Sequence, residues 1–272
     1  MAERIHCVEM QHVNLAARDF DASLEHFQRV WGAQFVHDIP ANEWHAVLLY
    51  LGGVLFEMFV PHQFLLNGRY GPHWVGLEYQ VTDLAATRAV LAERDIELIR
   101  DIGIAIHTDP QPCFGVAFEF YDHSFFNEPF DWREALKSAR YWEHEHPLGL
   151  MGLKRYSVAV SDLNAALDFY QEMFGIEVLY EDDSASQSVR KTGVQLANTV
   201  VELLTPTGDG PIARHLQRYG DGLRSVVFQV RSLDQAIHHF AGHDITLVLG
   251  DSEGALAIPA EHNRGVIMEV TE

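Results

Sequence analysis

The chain is poor in cysteine and in basic residues, and it contains no long apolar run. Its two cysteines, Cys7 and Cys113, are too few for a disulfide framework and lack the spacing of a metal site. No apolar segment approaches the roughly 20 residues that span a bilayer, and the N-terminal segment has no signal-peptide core. These absences predict a cytoplasmic protein without disulfides or membrane spans.

The net charge of the chain disfavours some classes of binding partner. The sequence has 19 Lys and Arg against 39 Asp and Glu, which gives a formal net charge of −20. Nucleic acids and anionic membrane surfaces repel such a body, so neither is an expected partner. A hydrophobic content of 47% with 21% charged residues is typical of a packed globular protein. The charge alone identifies no substrate, and the sequence leaves a homo-oligomer open.

Four segments of the chain share one pattern, in which alternating residues precede an acidic or hydroxyl residue and an amphipathic stretch. The segments are HVNLAARDFDASLEHF from His12, GLEYQVTDLAATRAVL from Gly76, RYSVAVSDLNAALDFY from Arg155 and SVVFQVRSLDQAIHHF from Ser225. The side chains placed to cap the four helices are those of Asp19, Asp83, Asp162 and Ser232. The pattern predicts a strand, a capped helix and further strands in each segment.

The repeat predicts an α+β fold of four βαβββ modules. One such module cannot bury both faces of its sheet, so the modules should pair. A short helix and a segment punctuated by Pro and Gly separate the second module from the third. We predict an N-terminal domain over residues 1–133, a linker over 134–151 and a C-terminal domain over 152–272.

Paired βαβββ modules that begin HVNLAARDFDASLEHF resemble the vicinal oxygen chelate superfamily of glyoxalases, bleomycin-resistance proteins and extradiol dioxygenases. In the second half, VVELLTPTGDGPIARHLQRYGDGLRSVVFQV is similar to the methylmalonyl-CoA epimerase and glyoxalase group. The resemblance implies that each domain is a curved mixed sheet forming a cup, with a divalent metal on its concave face. It implies Fe, Mn, Co, Zn or Mg as the cofactor, and a metal-free member of the family is the alternative.

The resemblance places metal ligands on the first and last strands of each module. Carried over to the first half, the ligands are His12, Glu57 and Glu128. The remaining ligand position falls on Gly76, which would leave a coordination position open. Strand alternation turns Glu78 and Glu119 toward the same cup, so they are the candidate catalytic residues. The candidate substrate-binding residues around this cup are Asn14, His45, Trp74, Gln80 and His107.

The second half differs at the same positions. They are occupied by Arg155, Glu202, Ser225 and Glu269, so both glutamates remain while both histidine positions are lost. Two carboxylates facing each other need a counter-charge, and a guanidinium can supply it. We expect a degenerate metal site in which Arg155 replaces the metal.

Three functions remain open. The first is a metal-dependent enzyme that acts on a small oxygenated metabolite, aromatic ones included, by enolate or oxygen-chelate chemistry, as an isomerase, lyase or dioxygenase. The second is a metal-free isomerase or lyase. The third is a metal-free binding protein that sequesters a small molecule, as bleomycin-resistance proteins do. Metal content after dialysis distinguishes the first from the other two.

Overall fold

The computed structural model describes residues 3–40, 42, 44–61, 71–124 and 131–272. Four βαβββ modules follow one another, as the repeat predicted. The strands and helix of the first are β1 (Cys7–Ala16), α1 (Phe20–Val30), β2 (Gln34–Pro40), β3 (Trp44–Leu51) and β4 (Val54–Pro61). Those of the second are β5 (His73–Val81), α2 (Leu84–Glu93), β6 (Leu98–Asp101), β7 (Ala105–Thr108) and β8 (Ala117–Tyr121).

The third and fourth modules repeat this order. The third contains β9 (Leu150–Ala159), α3 (Leu163–Phe174), β10 (Glu177–Ser184), β11 (Val189–Leu196) and β12 (Thr199–Pro206). An additional helix, α4 (Pro211–Tyr219), lies before the fourth. The fourth contains β13 (Gly222–Val230), α5 (Leu233–Ala241), β14 (Val248–Leu249), β15 (Leu256–Ile258) and β16 (Ile267–Thr271). The sequence pattern did not predict α4.

The sixteen strands that the described residues form are arranged in two mixed sheets of eight. The first has the order β2-β3-β4-β1-β5-β8-β7-β6, and the second has the order β10-β11-β12-β9-β13-β16-β15-β14. The two orders are equivalent strand for strand, which confirms the predicted α+β fold of paired modules. None of the helices that the structure describes is both long enough and apolar enough to cross a bilayer.

The residues predicted to cap the four helices do so. The side chains of Asp19, Asp83, Asp162 and Ser232 each accept a hydrogen bond from a backbone N–H three residues later. Each of these bonds satisfies one of the backbone donors that a helix leaves unpaired at its N-terminus. The change from strand to helix in every module is therefore encoded locally.

Two compact units are distinguished within the chain. One comprises residues 1–11, 75–128 and 156–223, and the other comprises residues 12–74, 129–155 and 224–272. Each takes segments from both sides of the linker over 134–151, and the proposed domain boundaries stay a prediction. In the first unit, Phe118 packs against Tyr170 and Phe174 of α3, with ring centroids 6.2 and 5.3 Å apart.

The second unit has its own aromatic core around the end of α1. The ring of Trp31 packs against Phe240 of α5 at 5.1 Å and against Phe228 of β13 at 6.2 Å. Its indole N–H donates to the Asn263 side chain at 2.9 Å, and His26 also hydrogen-bonds that oxygen at 2.8 Å. These three buried side chains thus pair their polar atoms with one another.

Candidate metal centre

Strand β8 separates an apolar face of the first sheet from a polar one. Phe118 and Phe120 lie within ring-contact distance of Phe174, so both face the aromatic core. Glu119 lies between them in sequence, and because successive strand residues point to opposite faces, its carboxylate lies on the other side. The alternation of AFEFY thus directs Glu119 away from the aromatic core.

Glu119 belongs to a row of four ionisable residues that crosses the sheet. Glu78 on β5 is its direct partner in the parallel β5–β8 pair, and His107 on β7 is its partner in the antiparallel β7–β8 pair. Arg100 on β6 is in turn the partner of His107. Directly opposed residues project from the same face of a sheet. The row therefore places two carboxylates, an imidazole and a guanidinium on one face.

A third strand contributes His12 to this region. His12, Glu78 and Glu119 each offer a ligand atom, and these atoms all lie within 4.8 Å of one another. The three residues are 1%, 0% and 7% exposed. Burying carboxylates this close together is costly without a nearby positive charge. The group therefore has the spacing and the need for a counter-charge that a bound cation satisfies.

Two imidazole–carboxylate contacts flank the group. His107 Nε2 lies 3.1 Å from Glu119 Oε1, and His12 Nε2 lies 3.6 Å from Glu57 Oε2. The side chain of Glu57 retains 19% exposure, more than any of the three grouped residues. Glu57 is thus the carboxylate here to which a substrate has the readiest access.

The donor chemistry of the group fits a divalent metal. Two carboxylates and one imidazole match the preferences of Mg, Mn, Fe(II), Co or Zn, and oxygen-rich sets favour the harder ions. Among the residues that the structure describes, His12, Glu78 and Glu119 are the ones that would hold the ion. Glu128, a predicted ligand, lies outside the described residues.

Gly76 has a structural explanation. A Cβ atom at this position would overlap the backbone carbonyl oxygen of Ala117, its partner on β8. No side chain fits there, so the position cannot present a ligand. The residue that reaches the group from β5 is Glu78, two positions later on the same face. The ligand role that the resemblance placed at residue 76 is available from residue 78.

The predicted substrate-binding residues are distributed unevenly. His107 contacts Glu119, and Asn14 is buried opposite Glu57 in the β1–β4 pair. Gln80 accepts a hydrogen bond from the Gln11 side chain at 3.3 Å. These three lie on or beside the strands that carry the group.

The other two predicted substrate-binding residues make contacts elsewhere. The ring of His45 stacks on Phe20 of α1 at 3.8 Å, and its Nε2 lies 2.7 Å from Asp38. The indole N–H of Trp74 donates to the carbonyl of Ile267 at 3.0 Å, and its ring packs against Phe56. These contacts account for the packing of both side chains, and their role in substrate binding stays a prediction.

The two cysteines make poor ligands. Burial raises the pKa of both thiols, that of Cys113 to about 12. Since the thiolate is the metal-binding form, burial disfavours both thiols as ligands. The absence of cysteine-type metal spacing in the sequence is consistent with this chemistry.

In the second sheet, hydroxyl and backbone N–H groups of the protein donate hydrogen bonds to the carboxylates at the equivalent ligand positions. Glu202 accepts a hydrogen bond from the Tyr180 hydroxyl at 2.9 Å. Glu269 accepts one from the Ser225 hydroxyl at 2.6 Å and one from the backbone N–H of Ser252 at 3.1 Å. The guanidinium of Arg155 donates to the carbonyl of Glu253 at 3.4 Å. The ion pair between Arg155 and these carboxylates stays a prediction.

Comparison with known families adds a sequence relationship. Residues 152–253 match the family described as the Glyoxalase/Bleomycin resistance protein/Dioxygenase superfamily. The ethylmalonyl-CoA/methylmalonyl-CoA epimerase of Cereibacter sphaeroides is 34% identical over 83 residues, 30% of this chain and 62% of the relative. The mitochondrial methylmalonyl-CoA epimerase of Homo sapiens is 33% identical over 87 residues, 31% of this chain and 49% of that protein. The chain thus spans 62% of the length of the first of these epimerases and about half of the second.

A solved structure with a similar fold covers nearly the whole chain. A triple mutant of 4-hydroxymandelate synthase from Streptomyces coelicolor superimposes with a TM-score of 0.76 over 97% of this chain and 92% of its own. The two sequences are 11% identical, so the similarity establishes the fold alone. The segment that matches the family, residues 152–253, contains none of His12, Glu78 and Glu119.

Proposed function

We propose that this chain, which belongs to the vicinal oxygen chelate superfamily, is a divalent-metal-dependent enzyme that acts on a small substrate with neighbouring oxygens. The observation that supports the proposal is the group of His12, Glu78 and Glu119, whose ligand atoms lie within 4.8 Å of one another. Epimerases among the relatives favour proton transfer next to a carbonyl group as the reaction class.

In this proposal the residues exchange some of the roles that the sequence suggested. Glu78 and Glu119 join His12 as ligands, and His107 fixes the orientation of Glu119 through their 3.1 Å contact. A divalent metal held there supplies Lewis acidity, which favours negative charge on substrate oxygens. The carboxylate left for acid–base work is Glu57, which is more exposed than the ligands.

Glu57 is the base of the proposed proton transfer. Its carboxylate removes a proton from the carbon beside the substrate carbonyl, and the C–H electron pair moves toward the carbonyl oxygen. The protonated Glu57 then returns the proton to carbon, so the chain is unchanged after the cycle. Such positioned acid–base catalysis typically contributes about 10²–10⁴-fold to the rate. His12, 3.6 Å from Glu57, is close enough to influence this carboxylate.

One observation favours a metal-free enzyme as the second candidate. His12 and His107 each lie near a carboxylate, so protonated imidazoles would also supply positive charge to the group. A protein that sequesters a small molecule without reaction is the third candidate. The three differ in metal binding and in proton exchange, and both can be measured.

The test begins with apoprotein prepared by dialysis against a chelator. Titration with Mn, Fe(II), Co, Zn and Mg is expected to show one ion per chain at micromolar concentration. Replacing Glu78 and Glu119 together by Gln should weaken binding by at least about 100-fold, because two anionic ligands are lost. Glu269→Gln in the second sheet is the matched control and should leave the stoichiometry unchanged.

Proton exchange provides the second readout. Enolisable 2-oxo acids and acyl thioesters are incubated with the metal-loaded protein in D₂O, and deuterium at carbon is followed by NMR. Glu57→Gln should abolish exchange and retain the metal. Exchange without any bound metal would support the metal-free enzyme. If neither metal binding nor exchange occurs, the binding-protein candidate takes the place of both.

A further inference from the structure

The β6–β7 hairpin carries a bulge that determines which residue joins the row on the site face. Leu98 pairs with Thr108, but the register then shifts by one residue so that Arg100, rather than Ile99, is opposite His107. In a regular pair Ile99 would occupy that place. A bulge turns the following side chain to the other face, and bulges are common beside active sites. This one puts a guanidinium on the face that carries Glu119.

The opposite face of β6 is defined by its contact with a helix. Asp101, the next residue, accepts hydrogen bonds from Arg88 of α2 at 2.8 and 3.0 Å. Its carboxylate also accepts a hydrogen bond from the backbone N–H of Gly103 at 2.8 Å. Asp101 therefore faces α2, and by alternation Arg100 faces away from the helix, toward the site.

Arg100 is placed to bind an anionic group of a substrate that lies beside a metal held by His12, Glu78 and Glu119. Two strand spacings, about 10 Å between backbones, separate Arg100 from Glu119. An arginine side chain and a small substrate together bridge this distance. Arg100 is half-buried, and its guanidinium is a planar donor that binds carboxylates through two parallel hydrogen bonds. Among the four residues of this row, Arg100 is the one whose side chain carries a permanent positive charge.

We propose that Arg100 binds an anionic group of the substrate, which makes the substrate class a carboxylate whose acidic group is separate from its two chelating oxygens. The inference rests on the proposed function, because it requires the metal group at His12, Glu78 and Glu119. Arg100 is a specificity-determining residue here, and it takes no part in proton transfer.

Two matched pairs of probes test this assignment. 2-Oxoglutarate and 2-oxopentanoate carry the same neighbouring oxygens and differ in the distal carboxylate; 2-oxoadipate and 2-oxohexanoate repeat the comparison with one more methylene. Affinities for the Mn-loaded full-length protein are measured by calorimetry. We expect the dicarboxylate of at least one pair to bind roughly 10- to 100-fold more tightly, as a charge-assisted pair provides.

The variants are chosen to separate binding from folding. Arg100→Gln should remove the preference for the dicarboxylate and leave the affinities for Mn and for the monocarboxylates unchanged. Arg88→Gln, on the helix face of the same hairpin, should retain the preference. Equal affinities within both pairs in the wild type, or a preference that survives Arg100→Gln, would overturn the assignment while the metal site stands. Absence of Mn binding would overturn the proposed function and this inference with it.

Discussion

The two sheets carry equivalent rows of residues with different chemistry. In the first sheet the row across β5, β8, β7 and β6 is ionisable throughout: Glu78, Glu119, His107 and Arg100. In the second sheet the row across β13, β16, β15 and β14 is apolar apart from one carboxylate: Val227, Glu269, Ala257 and Val248. The same topology therefore supports a polar site in one half and a mostly apolar row in the other.

The difference extends to how the carboxylates are stabilised. In the second sheet Glu202 and Glu269 accept hydrogen bonds from Tyr180, Ser225 and a backbone N–H. In the first sheet Glu119 lies beside an imidazole and within 4.8 Å of ligand atoms of two other residues. A hydroxyl donor stabilises a carboxylate without a cation, whereas clustered carboxylates need positive charge. Donor type thus distinguishes a structural site from a candidate metal site.

The largest expected effect concerns the residues two positions before each row, Gly76 on β5 and Ser225 on β13. Gly76 pairs with Ala117, and Ser225 pairs with Ile267 at the equivalent place. Gly76→Ser should destabilise the protein by about 3 kcal/mol or more, because the new Cβ would overlap a backbone oxygen that cannot rotate away. Chemical denaturation monitored by fluorescence measures the change.

The second sheet provides the control. Ser225→Ala keeps the Cβ that this sheet already accommodates and removes only the hydroxyl that binds Glu269. Its expected cost is about 1–2 kcal/mol. Equal costs for Gly76→Ser and Ser225→Ala would show that β5 and β13 accommodate side chains alike, contrary to the comparison.

The fold could be predicted because its signals are local. In each module an alternating strand precedes the capping residue, which is Asp19, Asp83, Asp162 or Ser232. The structure has the predicted strand, capped helix and further strands in the same order. Helix α4 was missed because its apolar positions, Ile212 and Leu216, lie in a short segment flanked by Gly residues. They are held by the tertiary contacts of a cluster containing Val189 and Leu204.

The site could be predicted only in part. Alternation predicted that Glu78 and Glu119 face one cup. It could not show that the two residues are direct partners, because strand register is a tertiary property. Arg100 was missed for the same reason. In a regular strand Arg100 would not face His107, and no residue of the segment signals the bulge that changes this.

The next expected effect, somewhat smaller than that of Gly76→Ser, is a loss of folding stability in acid. It should arise at the end of α1 and not at the equivalent end of α3. Gly32, after α1, lies against the ring of His146, and Gly175, after α3, lies against Arg4. Burial, with a smaller effect from His239, lowers the pKa of His146 to about 4 from 6.5. The unfolded chain binds the proton more readily, so stability is complete above pH 6.5 and decreases as the pH falls toward 4. The loss is up to about 3 kcal/mol.

Urea denaturation at several pH values tests this expectation. His146→Gln should reduce the decrease in stability between pH 6.5 and 4, since the titrating group is gone. Arg4→Gln at the other helix end should leave the pH dependence unchanged, because a guanidinium stays charged throughout this range. A pH profile that is the same in His146→Gln and wild type would show that other groups, such as His26 and His243 with their lowered pKa values, account for it.

The smallest expected effect concerns the strands outside the rows, β10–β12 in the second sheet and β2–β4 in the first. Tyr180 donates to Glu202 across Gly193, whose missing side chain leaves room for the tyrosine ring. At the equivalent place in the first sheet, Leu48 separates Glu57 from the exposed His37. Tyr180→Phe keeps the ring and removes the hydroxyl, so Glu202 loses one hydrogen bond in a buried setting.

We expect Tyr180→Phe to cost about 1–2 kcal/mol, the usual result of removing one donor from a buried acceptor. His37→Phe, the matched change in the first sheet, should lie within about 0.5 kcal/mol of wild type because the residue is exposed. Metal binding should be unchanged in both variants, since neither residue belongs to the group of His12, Glu78 and Glu119. If Tyr180→Phe were neutral and also gave a second metal-binding site, Glu202 would be a ligand that the tyrosine hydroxyl merely blocks. The second sheet would then hold a masked metal site, and the distinction between the two sheets would rest on a single hydroxyl group.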